Sequence, residues 1–125
     1  MIAALEQGGA GILPDRMLPR LLKPNSPPGV VRTVRGMIEE TSAPAAIYTV
    51  MALRDRPDSS TSLHRVSCPT LILCGEDDRI VRDEESRAMA DAIDGSRFAR
   101  VPGSGHLSNL ENPDEFNRIV LDFLL

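Results

Sequence analysis

Leu71-Ile72-Leu73-Cys74-Gly75-Glu76-Asp77-Asp78 is the stretch from which the fold can be read. Four apolar residues run unbroken from Leu71 to Cys74, stop at Gly75, and give way at once to a cluster of carboxylates. A continuous apolar run closed by a turn residue suits a strand of a parallel sheet covered on both faces, here Thr70–Cys74. Open α/β sheets gather their chemistry where strands end, at the carboxyl tips. Acids placed there carry more interest than acids on a helix surface. The comparable position downstream is His106, behind the alternating stretch Arg97–Val101 and the turn Gly103-Ser104-Gly105. A carboxylate and an imidazole at the tips of two neighbouring strands would make an acid–base pair.

The segments around these strands read as helices. Asp83, Glu84 and Glu85 favour a helix N-terminus electrostatically, Met89, Ala90 and Ile93 supply an inward face, and Gly95 stops the helix Asp83–Asp94. The last helix has the clearest start in the chain. Asn112 caps it, Pro113 takes its first position, Glu115 stands where a capping box places it, and Phe116, Ile119, Val120, Phe123 and Leu124 form an apolar stripe. The order strand, tip, helix, strand, tip, helix is the alternation of an α/β fold with helices on the sheet faces.

Ahead of this half the pattern is helical throughout. Ile2–Gln7 reads as the end of a helix stopped by glycines, and Pro14–Leu22 as a short helix ended by Pro24. Val30, Val34, Met37 and Ile38 share one face of an amphipathic helix, Pro28–Glu40. Thr41 or Ser42 can cap Pro44–Arg54, whose near absence of a polar face predicts burial between layers or a place over a cavity. Leu63–Val66 reads as a helical turn before Cys68-Pro69. The polar run Arg54–Ser62 marks a boundary, so residues 1–62 are expected to form a helical layer and residues 63–125 the sheet-forming part.

Composition bounds the function classes. A chain of 125 residues is the size of one domain or part of one. Its formal net charge of −4, with both signs interspersed, argues against nucleic acid or an anionic membrane as the main partner. No segment approaches the roughly 18 apolar residues of a membrane span. No signal peptide is legible at the start, so a cytoplasmic location is the default. Cys68 and Cys74 would lie about 20 Å apart along an extended strand, too far to pair, and both read as buried packing thiols. His64 reads as a surface or packing histidine, and Met37, Met51 and Met89 as packing residues. Two distant histidines make no convincing zinc site, and no cofactor is expected.

The stretch Cys68-Pro69-Thr70-Leu71-Ile72-Leu73-Cys74-Gly75-Glu76-Asp77-Asp78 with Arg79-Ile80-Val81, and then Pro102-Gly103-Ser104-Gly105-His106 with Glu111-Asn112-Pro113, resembles the carboxyl-terminal part of the α/β-hydrolase superfamily. The likeness is nearest to small esterase and lactonase-like members, including relatives of 3-oxoadipate enol-lactonase. It implies an α/β fold, with residues 1–62 as the helical lid (cap) and residues 63–125 as the carboxyl-terminal part of the core. It also implies Asp78 as the catalytic acid, rather than Asp77 or Glu76, and His106 as the base. Arg82 departs from the family, which often has proline there. The family sets its nucleophile in a Gly-x-Ser-x-Gly elbow upstream of the lid. This sequence has no such pentapeptide, and Gly103-Ser104-Gly105, on the base's own loop, reads as a turn. The resemblance therefore predicts a fragment or truncated member whose intact form hydrolyses a small-molecule ester, lactone or related bond. One half of a split hydrolase and a non-catalytic domain, either a pseudoenzyme or a binding module, are the alternatives; the expected partner is an amino-terminal half or a second copy through self-association.

Overall fold

The computed structural model describes residues 2–125; Met1, with which the expected helical segment begins, lies outside the described residues. The chain runs through Ile2–Gly8 (α1), a 3-10 turn at Ala10–Ile12, Leu13–Leu21 (α2), Pro28–Glu39 (α3) and Ala43–Asp55 (α4). A second 3-10 turn, Ser60–Arg65, leads into Leu71–Gly75 (β1), Asp83–Asp91 (α5), Arg97–Val101 (β2), Ser108–Glu111 (α6) and Pro113–Leu124 (α7).

β1 and β2 pair in parallel, with Leu71 opposite Arg97 and Gly75 opposite Val101. Side chains alternate across the pair, so each face has its own helix. On one face Phe98 lies under the Arg87 guanidinium of α5, 4.6 Å from its ring centre, and Arg100 pairs with Asp83 at the start of α5. On the other, Arg97 reaches Asp122 of α7 at 2.7 Å. Ile72 and Cys74 are buried on the α5 side, whereas Leu71 and Leu73 are only half-buried. The unbroken apolar run therefore does separate two covered faces, one more completely than the other.

The helical segments have a core of their own. Leu5, Leu13, Leu18, Leu22, Val34, Ile38 and Ala46 pack together, with Leu107 and Leu110 of the second half against them. The spacing of Val34 and Ile38 places both on the inner side of α3, as their periodicity predicts, but Met37 stands 57% exposed.

Several expectations are corrected. In α4 only Ala46 is buried, and Tyr48 and Leu53 are 71% and 64% exposed. One side of this helix lies on the helical core, and among the described residues nothing covers Tyr48. Cys68 is exposed and Cys74 buried, because Cys68 precedes the strand and Cys74 lies inside it. Burial pushes the Cys74 thiol up. Met51 and Met89 are exposed rather than packed, whereas His64 is a surface histidine, one of the two places expected for it. At α7 the Asn112 side chain caps the Glu115 amide, but the Glu115 carboxylate pairs with Arg118 at 2.7 Å instead of returning to residue 112. The reciprocal bond forms at α5, where the Arg82 amide donates to Glu85 at 2.9 Å. No described helix is long and apolar enough to cross a membrane.

Candidate active site

Parallel pairing sets the tips of β1 and β2 side by side, and the backbone then stitches the two turns together. The Glu76 amide donates to the Val101 carbonyl at 3.1 Å and the Asp77 amide to the Ser104 carbonyl at 2.8 Å. Gly103 turns the chain with φ of 58°, in the left-handed region that favours glycine. Its amide donates to Glu76 Oε2 at 2.9 Å, so Glu76, a solvent-exposed loop acid, also braces the turn before His106. Glu76 and Asp77 are both exposed, and Asp78 is the acid of the three drawn in from solvent.

Asp78 folds back over its own turn. Its Oδ1 accepts from the Ile80 and Val81 amides at 2.8 and 3.0 Å, and its Oδ2 lies 2.9 Å from His106 Nδ1. The carboxylate is 7% exposed and the imidazole 34%. Burial alone would push the Asp78 carboxyl up. The bonds from His106 and the two amides outweigh it, and the net position is below the usual carboxylate range. An ionised Asp78 has no proton to give, so Nδ1 must carry the hydrogen of this bond. In the neutral imidazole Nε2 is then the acceptor, and no described residue hydrogen-bonds to it. The arrangement can take a proton at Nε2 and stabilise the resulting imidazolium through Asp78.

The backbone of His106 is equally constrained. The His106 and Leu107 amides donate to the Leu21 carbonyl at 2.9 and 3.3 Å, taking up an acceptor left free at the end of α2. Ser104 is fully buried and gives its hydroxyl proton to the Val101 carbonyl at 2.8 Å, which confirms a turn role for it. An apolar cleft of about 390 Å³ is lined by Met17, Leu21, Val34, Ile38, Val50 and Leu107; Leu107 follows His106 in the chain, and neither Asp78 nor His106 lines the cleft itself. A second, of about 260 Å³, shares Met17, Leu21 and Val50 and reaches Ile80, two residues after Asp78. α4 lines both, so the expectation that it borders a cavity holds for its inner side.

Comparison with known proteins now has a geometry to attach to. Residues 2–119 match the model of the alpha/beta hydrolase family. The chain belongs to that family. Among solved alpha/beta hydrolases, it is similar to a thermophilic esterase from Thermogutta terrifontis, with a TM-score of 0.91 and 32% identity, covering 98% of this chain and 46% of that one. It is also similar to the enol-lactonase from Burkholderia xenovorans LB400, with a TM-score of 0.90 and 26% identity, covering 98% and 48%. A protein named as the carbamate hydrolase RutD, from Pseudomonas savastanoi pv. phaseolicola, is 37% identical over 67 residues, which are 54% of this chain and 26% of that protein. The chain thus spans about half the length of these solved hydrolases and holds a small parallel sheet with a helical layer, part of the alpha/beta hydrolase fold.

Asp78 and His106, named from the sequence, are brought together. Glu111 and Lys23, whose contacts reach the same loop, were not singled out for any role. Glu111 stands in the quoted motif, but nothing local to it signals a bond to residue 23.

Proposed function

We propose that this chain supplies the acid–base half of a hydrolase acting on carboxylic esters, lactones or related acyl bonds. Asp78 is the acid and His106 the base of a Ser–His–Asp triad whose serine comes from outside these 125 residues. The observation that carries this reading is the 2.9 Å contact between His106 Nδ1 and a buried Asp78 carboxylate, with no described residue hydrogen-bonded to Nε2 of the partly exposed imidazole. Relatives named as an esterase, an enol-lactonase and a carbamate hydrolase support the class of bond.

In this reading Nε2 takes the hydroxyl proton as the serine oxygen attacks the substrate carbonyl. It then returns that proton to the departing oxygen or nitrogen as the tetrahedral intermediate collapses to an acyl-enzyme. Water repeats the cycle, releasing the acid and regenerating the serine. Residues 1–62 act as the lid and residues 63–125 as the core, the apolar clefts under α4 receiving the substrate's apolar part.

The test uses a short-chain activated ester, with the chain alone and with an amino-terminal segment carrying Gly-x-Ser-x-Gly, linked or separate. The chain alone should show no turnover above a His106→Ala control. The completed protein should turn over and lose about 10³-fold or more on His106→Ala. Hydrolysis by the completed protein that survives His106→Ala would refute the assignment.

A further inference from the structure

Glu111 does not touch the acid–base pair, yet its carboxylate is where three separate segments meet. Oε1 accepts from the Lys23 amide at 2.9 Å and from the Ser26 hydroxyl, and Oε2 accepts from the Gly105 amide at 2.7 Å. Lys23 and Ser26 lie 88 and 85 residues away, in the turn between α2 and α3. Gly105 is the residue immediately before the base. The site has no slack: a Cβ on Gly105 would stand 2.9 Å from the Lys23 nitrogen and 3.0 Å from Glu111 Oε2. One carboxylate thus ties the turn after α2 to the residue before His106 through three hydrogen bonds.

We infer that Glu111 is a positioning residue for His106. By fixing the Gly105 amide and the Lys23–Ser26 turn to one carboxylate, it sets the backbone from which the imidazole projects. That setting keeps Nδ1 on Asp78 and leaves Nε2 without a described partner. The inference rests on the proposed role of His106, but the geometry it concerns can be read without turnover.

Glu111→Gln keeps the side-chain volume and replaces one acceptor by an amide nitrogen. Whichever way that amide turns, either the Gly105 or the Lys23 N–H faces a donor. Ser26→Ala removes one donor and leaves both backbone bonds in place. The ¹⁵N shifts of the His106 ring report its tautomer, and hydrogen exchange reports the Gly105 and Lys23 amides. The wild-type chain should hold the Nδ1-protonated tautomer. In Glu111→Gln, exchange at one of the two amides should rise by about tenfold, the factor loss of one such bond allows, and the ring should become a mixture of tautomers. Ser26→Ala should move the same signals less and in the same sense. A purely structural Glu111 would lower the melting temperature and leave the tautomer alone. Ring signals of Glu111→Gln that coincide with wild type overturn the inference. If Glu111→Gln does not fold, coincident signals in Ser26→Ala overturn it. Failure of the hydrolase reading shows separately, as turnover independent of His106.

Discussion

Gly75 closes β1 against the base's loop, and adding one methyl group there should damage both stability and the site. A Cβ at this position would lie 2.0 Å from the Gly105 carbonyl oxygen and 2.7 Å from that of Ser104, whereas real Cβ atoms essentially never come closer than 3.0 Å. The strand tip and the loop must therefore part by about 1 Å, and both obstacles are backbone that no rotamer change can move. Parting them also strains the Glu76–Val101 and Asp77–Ser104 bonds. Overpacking costs about 1–3 kcal/mol, and a clash between main chains belongs at the top of that range. For a chain of this size, about 3 kcal/mol lowers the melting temperature by roughly 10 °C. In a completed hydrolase, a shift of about 1 Å at the base would also cost roughly 10²-fold in rate. Gly36→Ala is the control: it lies within α3, its Cβ would meet nothing within 4 Å, and it should gain about 0.5–1 kcal/mol. Thermal unfolding followed by circular dichroism compares the three proteins. A Gly75→Ala variant that melts with wild type would show that strand and loop are not in the contact described.

Acid should weaken the fold through Asp78. Its folded carboxyl sits below the ordinary range, so its contribution is complete above the unfolded value near about 3.9 and is lost as pH falls through the folded value. Asp78→Asn should lose less stability between about pH 5 and about pH 3 than wild type, although Asp83, held low by Arg100 and Arg87, leaves some acid sensitivity in both. Parallel losses would mean that Asp78 does not titrate against folding. A second expectation is association. Tyr48, Leu53 and Leu124 are exposed, and the outer edges of the two-stranded sheet have no strand beside them among the described residues. Light scattering on the purified chain should show mass rising with concentration, and an amino-terminal segment supplying further strands should suppress it. A monodisperse monomer with a sharp melt would count against this.

What could be read in advance follows the range of the interactions involved. β2 was legible because Arg97–Val101 alternates in the sequence itself, and the start of α7 because Asn112, Pro113 and Glu115 act within one turn. Asp78 and His106 were legible because strand tips in a parallel pair are neighbours whatever the intervening helix does. The four-residue helix α6 was not, being too short to display a period. α4 misled because an apolar sequence states what a helix would bury and not whether a neighbour is there to bury it. Glu111 was hidden for the opposite reason, since its partners are fixed by tertiary docking and two of them are backbone amides that no side-chain pattern reveals.

Most hydrogen bonds that join the helical layer to the His106 loop use main-chain groups of the two segments: the Leu21 carbonyl, the Lys23 amide and the Gly105 amide. Peptide groups are the same under every side chain but proline's, so these contacts tolerate sequence drift. Residues 21 and 23 can change identity while the base stays where it is, with proline at 23 the exception because it has no N–H to give. A helical layer joined in this way is free to remodel the apolar surface it offers without disturbing the His106–Asp78 contact behind it. For grafting, the join belongs beyond Ser26, so that the turn held by Glu111 travels with the loop it secures.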